Sequence, residues 1–129
     1  VKLLSLTSAD PRFYPLLGRF LANRDVVAYL GGHLWDDPAK TWTIAISTEG
    51  VRGFIATVPS RGAVKAQSCY VLDGEDTLTG DLIRAVVQAH APSPVTAVVR
   101  AGHAGPWHEE GFVTVADKGR FLHLARKGS

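Results

Sequence analysis

The chain has 129 residues, 46% hydrophobic and 20% charged, which suits one globular domain over 1–129 that can bury roughly two-thirds of its unfolded surface without staples. Fourteen Lys and Arg against twelve Asp and Glu leave a net charge of only +2, and the basic residues form no stripe of the kind that tracks nucleic acid. A single cysteine, Cys69, excludes an internal disulfide framework and a multi-cysteine zinc site, and apolar runs such as Val95 to Val99 are far too short to span a bilayer.

Val1 to Leu6 reads as a short strand whose sequel, with polar Ser5, Thr7, Ser8 and Asp10, lacks the pattern of a secretory leader. The expectation is a soluble, cytoplasmic protein with no membrane partner. Thr7, Ser8 and Asp10 offer N-caps ahead of Pro11, and Phe13, Leu16, Leu17 and Phe20 repeat at helical spacing. A helix is therefore predicted over Pro11 to Asn23. Val26, Val27, Tyr29 and Leu30 predict a second short helix ended by Gly31-Gly32. His33 to Lys40 reads as a loop. Trp42 to Ser47 and Val51 to Val58 flank Glu49-Gly50 as a hairpin, with Trp42 in the core. After Pro59-Ser60-Arg61-Gly62 comes a third antiparallel strand, Ala63 to Leu72.

A helix over about Thr77 to Ala91 follows, with Leu82, Ile83, Val86 and Val87 on its apolar face and Asp76 or Thr77 as N-cap. Val95 to Val99 then reads as a buried strand parallel to its predecessor, because a helical crossover separates the two. Pro106 to Glu110 is a short helix stopped by Gly111. Phe112 to Val115 and Phe121 to Leu124 close the chain as a hairpin around Asp117-Lys118-Gly119-Arg120. The fold class is α/β: a mixed, mostly antiparallel sheet flanked by helices. Phe54, Val71, Leu82, Val86, Val98, Phe112 and Leu122 are the expected core.

Few residues advertise chemistry by themselves. His33, Asp36, His103, His108 and Glu109 are metal-ligand types, but their spacing matches no standard site, so no metal is expected. Cys69 reads as a small buried apolar residue rather than a nucleophile.

The element order, with Pro106-Trp107-His108-Glu109-Glu110-Gly111-Phe112 as an aromatic-rich helix closing in Gly-Phe, resembles the GNAT superfamily of N-acetyltransferases. Gly53-Phe54-Ile55-Ala56, Tyr70-Val71-Leu72 and Leu82 to Val87 resemble that family's central strands and cofactor helix. The resemblance covers nearly the whole chain. It implies an acyltransferase that uses acetyl-CoA or another acyl-CoA, held in a cleft between the third central strand and Val95 to Val99. It implies backbone contacts from Tyr70, Val71 and Leu72 to the pantetheine arm. Leu78, Thr79 and Gly80 with Arg84 would meet the phosphates. The acceptor would be an amine, small or macromolecular, that passes Trp35, Asp36 and Asp37.

Two segments depart from the family pattern. The family's phosphate loop reads Arg/Gln-x-x-Gly-x-Gly/Ala, whereas Asp73 to Asp81 here lacks the basic residue and the paired small residues and carries four carboxylates. One carboxylate about 6 Å from a phosphate charge costs roughly 2–3 kcal/mol at an effective dielectric near 20, so phosphate contacts are expected to be weak. Where many relatives place a catalytic Tyr, this chain has Trp107. His103 then becomes the expected proton-handling residue, with Tyr70 as a second catalytic candidate. The alternative reading is a GNAT-fold binding module without catalysis, or a relative of phage DNA-modifying GNAT proteins that meets nucleic acid.

Overall fold

Apolar residues at both odd and even positions of a strand require a layer on each face of the sheet, and Trp42 to Ala45 and Phe54 to Ala56 have that composition. The computed structural model of the protein describes residues 1–31, 37–72 and 74–128. Seven strands, β1 (Lys2–Leu6), β2 (Thr41–Ser47), β3 (Gly50–Ser60), β4 (Ala63–Val71), β5 (Val95–Arg100), β6 (Val113–Asp117) and β7 (Phe121–Arg126), form one sheet in the order β1-β2-β3-β4-β5-β7-β6. All neighbours are antiparallel except β4 and β5, the pair joined by a helical crossover. Helices α1 (Phe13–Leu21) and α2 (Arg24–Leu30) cover one face; α3 (Asp76–His90) and α4 (Gly105–Glu109) cover the other.

Each face has its own core. Phe13, Leu17, Phe20 and Val26 pack with Trp42, Ile44, Phe54 and Ala56. Leu78, Leu82, Ile83, Val86 and Trp107 pack with Ala45, Ile55, Ala66, Val95 and Leu124. The expected core residues Phe54, Leu82, Val86 and Phe112 are buried; Val71 and Leu122 are partly covered. Val98 is a correction: it is 38% exposed. The neighbouring strand β4 has parted from β5 by that point while staying paired with β3, so Val98 opens onto the gap between them.

Local chemistry moves several predicted ends. The Asp10 carboxylate accepts the Arg12 N–H (2.8 Å) and its carbonyl accepts the Phe13 N–H (3.0 Å), so Pro11 lies in a turn and α1 starts at Phe13. Asn23 ends that helix by capping the next: its side chain accepts from Asp25 and Val26 N–H. Gly31 closes α2 at φ +78, and a β-carbon there would meet the Phe121 ring at 2.8 Å. At α3 the N-cap position is Glu75, not Asp76 or Thr77, and no side chain caps it. The Glu75 carboxylate turns instead to Arg52 on β3.

A bulge interrupts the β3–β4 ladder: Phe54 faces Tyr70, but Ala56 faces Gln67. Ser68 and Cys69 together oppose Ile55, and Ser68 takes a positive φ of 55°, the extra residue turning the strand. Gly53 lets the strands meet beside this bulge. A β-carbon there would sit 2.8 Å from the Tyr70 carbonyl oxygen and 2.8 Å from Val71 Cγ1. Gly53→Ala is therefore expected to lower stability by about 1–3 kcal/mol, the usual cost of overpacking. A urea titration should show a lower midpoint at unchanged slope; an unmoved midpoint would mean the two strands separate freely.

Candidate functional site

A parallel pair that stays in register is closed by slanted hydrogen bonds along its length. Here β4 and β5 pair only from Val64 to Ala66 against Val95 to Ala97. Beyond that, β4 swings away at its bulge while β5 continues along β7 to Arg100. The gap is a cleft through the sheet of about 250 Å³. Its walls are Gln67 to Cys69 and Val71 from β4, Val98 to Arg100 from β5, Tyr29 from α2, Asp76 and Thr79 from α3, and His103, Pro106 and Trp107 from the segment after β5.

The β4 edge facing this gap carries backbone groups without a strand partner. The Leu72 N–H donates to the Arg52 carbonyl (2.9 Å), so Leu72 points its backbone at β3. Tyr70, two residues earlier and opposite Phe54, does the same. Alternation then turns the N–H and C=O of Val71 towards the cleft. Of the three predicted backbone contacts, Val71 alone is so directed. The side chains of Tyr70 and Leu72 pack on the α1–α2 face, Tyr70 among Phe20, Phe54 and Tyr29.

His103 ends a single 3-10 turn, Ala101–His103, and lines the cleft. Its ring stacks on Tyr29, with centroids 4.1 Å apart and planes 14° from parallel. Burial, and then the nearby Arg100 charge, hold its pKa below the usual 6.5, so the imidazole is neutral at pH 7 and able to accept a proton. Tyr29 is shifted the other way: burial, then Cys69, Tyr70 and Asp76, raise its pKa. Its phenol keeps its proton. Trp107 lines the same cleft, buried edge-on against Phe112 at 5.0 Å. His108 belongs elsewhere, since Nδ1 lies 3.0 Å from the Phe112 carbonyl. Burial pushes the Cys69 thiol up to about 12, so it stays protonated and is no nucleophile.

The start of α3 is acidic and its cations are engaged. Arg52 bonds Glu75 and Glu49. Arg84 donates to Glu110 at 2.8 and 3.1 Å and to Asp81 at 3.1 Å. The N–H of Leu78 reaches the Glu75 carbonyl (2.9 Å). Thr79 and Gly80 lie beyond the first four N–H groups, the only ones a helix leaves unpaired. The predicted phosphate contacts from Leu78, Thr79 and Gly80 thus fall one turn too far along, because α3 begins at Asp76. Leu78 is core, Gly80 lies beside Glu110 and Arg84, and Thr79 lines the cleft with Val71.

On the acceptor side, Trp35 and Asp36 lie outside the described residues. Asp37 Oδ1 accepts the Ala39 N–H (2.8 Å), forming the turn that leads into β2, away from the cleft lining. The sequence reading missed Tyr29, Arg100 and Arg120. Arg100 donates to the Ala28 carbonyl at 2.6 Å, and with Arg120, Tyr29, Ala101, Gly102 and His103 it lines a second hollow next to the first. Among the described residues no cluster of metal-ligating side chains occurs, and no helix is long and apolar enough to cross a membrane.

No protein-family model and no curated protein sequence matches the chain. Solved structures do match along nearly its whole length. Escherichia coli ElaA is 16% identical, with 98% of this chain and 99% of that one covered at a TM-score of 0.70. The aminoglycoside 6'-N-acetyltransferase from Enterococcus faecium is 10% identical, with coverage of 98% and 96% and a TM-score of 0.69. A GNAT family acetyltransferase from Elizabethkingia anophelis, solved with acetyl-CoA bound, is 12% identical, with coverage of 98% and 97% and a TM-score of 0.63. The parted parallel pair, the bulged β4 and the helical layers on both faces together make this chain a domain of the GNAT fold.

Proposed function

We propose that the protein is an acyl-CoA-dependent N-acyltransferase that transfers an acyl group, acetyl being the simplest, to an amine. The carrying observation is the cleft itself: an unpaired β4 edge at Val71, beside a neutral His103 and a protonated Tyr29. Two of the structural neighbours described above are acetyltransferases by name, and one of them holds acetyl-CoA. An acyl-CoA, when bound, supplies the activated thioester. The chain's residues fit its pantetheine arm, an amide-bearing chain that pairs with a free strand edge as another strand would. They fit its pyrophosphate poorly, since Arg52 and Arg84 are already bound to carboxylates. Any N–H contact to that group must come from Asp76 and Thr77, at the head of α3.

The balance of the reaction defines the roles. A C–N bond forms, a C–S bond breaks, the amine loses a proton and the thiolate gains one. His103 takes the amine proton, directly or through one water. Tyr29 holds the proton that the thiolate needs. Trp107, whose indole is no acid at neutral pH, closes the cleft against water. The Val71 N–H orients the donor, and positioning accounts for most of the rate.

A second reading, a binding module without cofactor, is favoured by one observation: the occupied arginines leave the phosphates no free cation at the head of α3 among the described residues. Thermal unfolding with acetyl-CoA and with acetyl-pantetheine separates the two. A ligand at about 100 times its Kd raises stability by about 2.7 kcal/mol. Acetyl-CoA should stabilise the protein, and acetyl-pantetheine should bind within about tenfold of it, since one or two weak phosphate contacts are worth no more than about 1.4 kcal/mol together. No stabilisation by millimolar acetyl-CoA would overturn the acyltransferase reading and leave the module as the better one.

A further inference from the structure

Taking the chain as an N-acyltransferase, on which reading this step depends, we propose that its acceptor is a small amine that also carries an anionic group, a carboxylate or a phosphate ester, and that Arg100 and Arg120 bind that group. The second hollow, about 390 Å³, shares Tyr29, Arg100, Gly102 and His103 with the cleft. It therefore opens onto the imidazole that would take the amine proton. Its own additions are Ala101 and Arg120.

Charge makes the hollow selective. Arg12, Arg52 and Arg84 each pair with one or two carboxylates. Arg100 and Arg120 meet none among the described residues, although both line the same hollow. An unopposed pair of guanidiniums is a fork for carboxylate or phosphate oxygens. Both are held in place from the backbone. Arg100 is tethered at Nη1 by the Ala28 carbonyl (2.6 Å), and its other N–H groups meet no acceptor among the described residues. Arg120 sits at the end of the β6–β7 turn, pinned by Ala101 N–H to its carbonyl (2.9 Å) and by Gly119 N–H to Asp117 Oδ1 (2.9 Å). The same Ala101 opens the turn that ends at His103, so one backbone hydrogen bond links the residue that carries the Arg120 guanidinium to the short turn that carries the imidazole.

The two charges also act on the amine. An ammonium cannot attack a thioester, and a cationic wall disfavours the protonated form. A simple cationic amine is repelled here, whereas an amine whose anionic group is seated on the arginines is drawn in and delivered beside His103. Specificity then comes from an attraction for one class and a repulsion against the other.

Three measurements test this: release of CoA thiol from acetyl-CoA, calorimetric binding of the amine alone, and the ligand-free melting temperature as a folding control. The probes are matched pairs, β-alanine with β-alaninamide for a carboxylate and O-phosphoethanolamine with ethanolamine for a phosphate, plus a single-stranded oligonucleotide. The member of at least one pair that carries the anion should exceed its partner without one by about tenfold or more in kcat/KM, and which pair responds identifies the anion. Arg120→Gln should reduce that ratio about ten- to a hundredfold, the worth of a charge-assisted bond. Arg100→Gln should do likewise, but it also removes the tether to Ala28, so Arg120→Gln is decisive.

Turnover with no preference in either pair, or a preference that Arg120→Gln leaves intact, overturns the anionic acceptor while the acyltransferase stands. Acetylation of the oligonucleotide alone overturns it in favour of a nucleic-acid substrate. If acetyl-CoA neither stabilises the protein nor turns over, yet O-phosphoethanolamine or β-alanine binds and Arg120→Gln abolishes the binding, acyl transfer falls and the anion site stands. No binding and no turnover overturn both.

Discussion

Val86→Asp is expected to leave no cooperatively folded domain at neutral pH. Val86 is 2% exposed and lies in the α3 core with Leu82, Ile83, Ala66, Val95 and Leu124, none of which offers a cation or a hydrogen-bond donor from its side chain. The exchange removes about 1.5–3 kcal/mol of apolar burial. It also leaves an uncompensated charge in the core, which costs about 3–5 kcal/mol more. The sum approaches the whole stability of a domain, about 5–15 kcal/mol. Val86→Ala carries only the first loss and should fold with a lowered melting temperature. The Asp carboxyl would have a raised pKa in any folded fraction, so the native state binds more protons than the unfolded one. Residual stability should therefore rise as pH falls towards 4 and disappear as pH rises through the raised pKa. Circular dichroism melts at pH 4.5 and 7.5 measure this. A variant as stable as the parent would place Val86 outside the core.

The element order is legible in the sequence because each apolar period is bounded by its own punctuation. Gly31 ends α2, Arg61-Gly62 turns β3 into β4, and Asp117 to Arg120 turns β6 into β7. The parallel crossing follows from the helix between β4 and β5. What the sequence hides is decided by partners distant along the chain. Val95 to Val99 has the composition of a strand buried throughout, yet Val98 is exposed because β4 departs at Ser68, and no local signal in β5 announces that. Arg84 reads as a free cation near a phosphate site until Glu110, 26 residues away, claims it. Tyr29 reads in the sequence only as part of the apolar pattern of a short helix; its place in the cleft exists only once α2 docks on Phe121 and Arg100. Arg100 and Arg120 are 20 positions apart in the sequence and meet at one hollow through the Ala101–Arg120 backbone bond. His103 is reached only by elimination, because Trp107 stands where the family places an acid.

His103→Ala is expected to lower kcat by about 10²-fold or more, the low end of what a positioned general base contributes. The groups around its imidazole set the pH dependence: Tyr29 stacked on it, Arg100 and Arg120 in the adjoining hollow, Cys69 and Asp76 across the cleft. Burial and the Arg100 charge both lower its pKa from 6.5, so the neutral, proton-accepting form is the majority at pH 7. Activity should be flat through neutrality and fall only below pH 6.5, as the imidazole protonates. Arg100→Gln removes one of the two lowering causes and should move that acid limb towards 6.5. His103→Gln retains a polar, similarly sized side chain but cannot titrate, so it should lose both the rate and the limb. The unliganded melting temperature must stay near the parent's, since the substitution disturbs little packing beyond the stack on Tyr29. Tyr29→Phe keeps that stack and removes only the phenol proton. It should slow thiolate release without moving the acid limb, which separates the two proton roles. An unchanged kcat in His103→Ala, or an acid limb that survives in His103→Gln, would move the base elsewhere in the cleft, where Asp76 is the remaining carboxylate among the described residues.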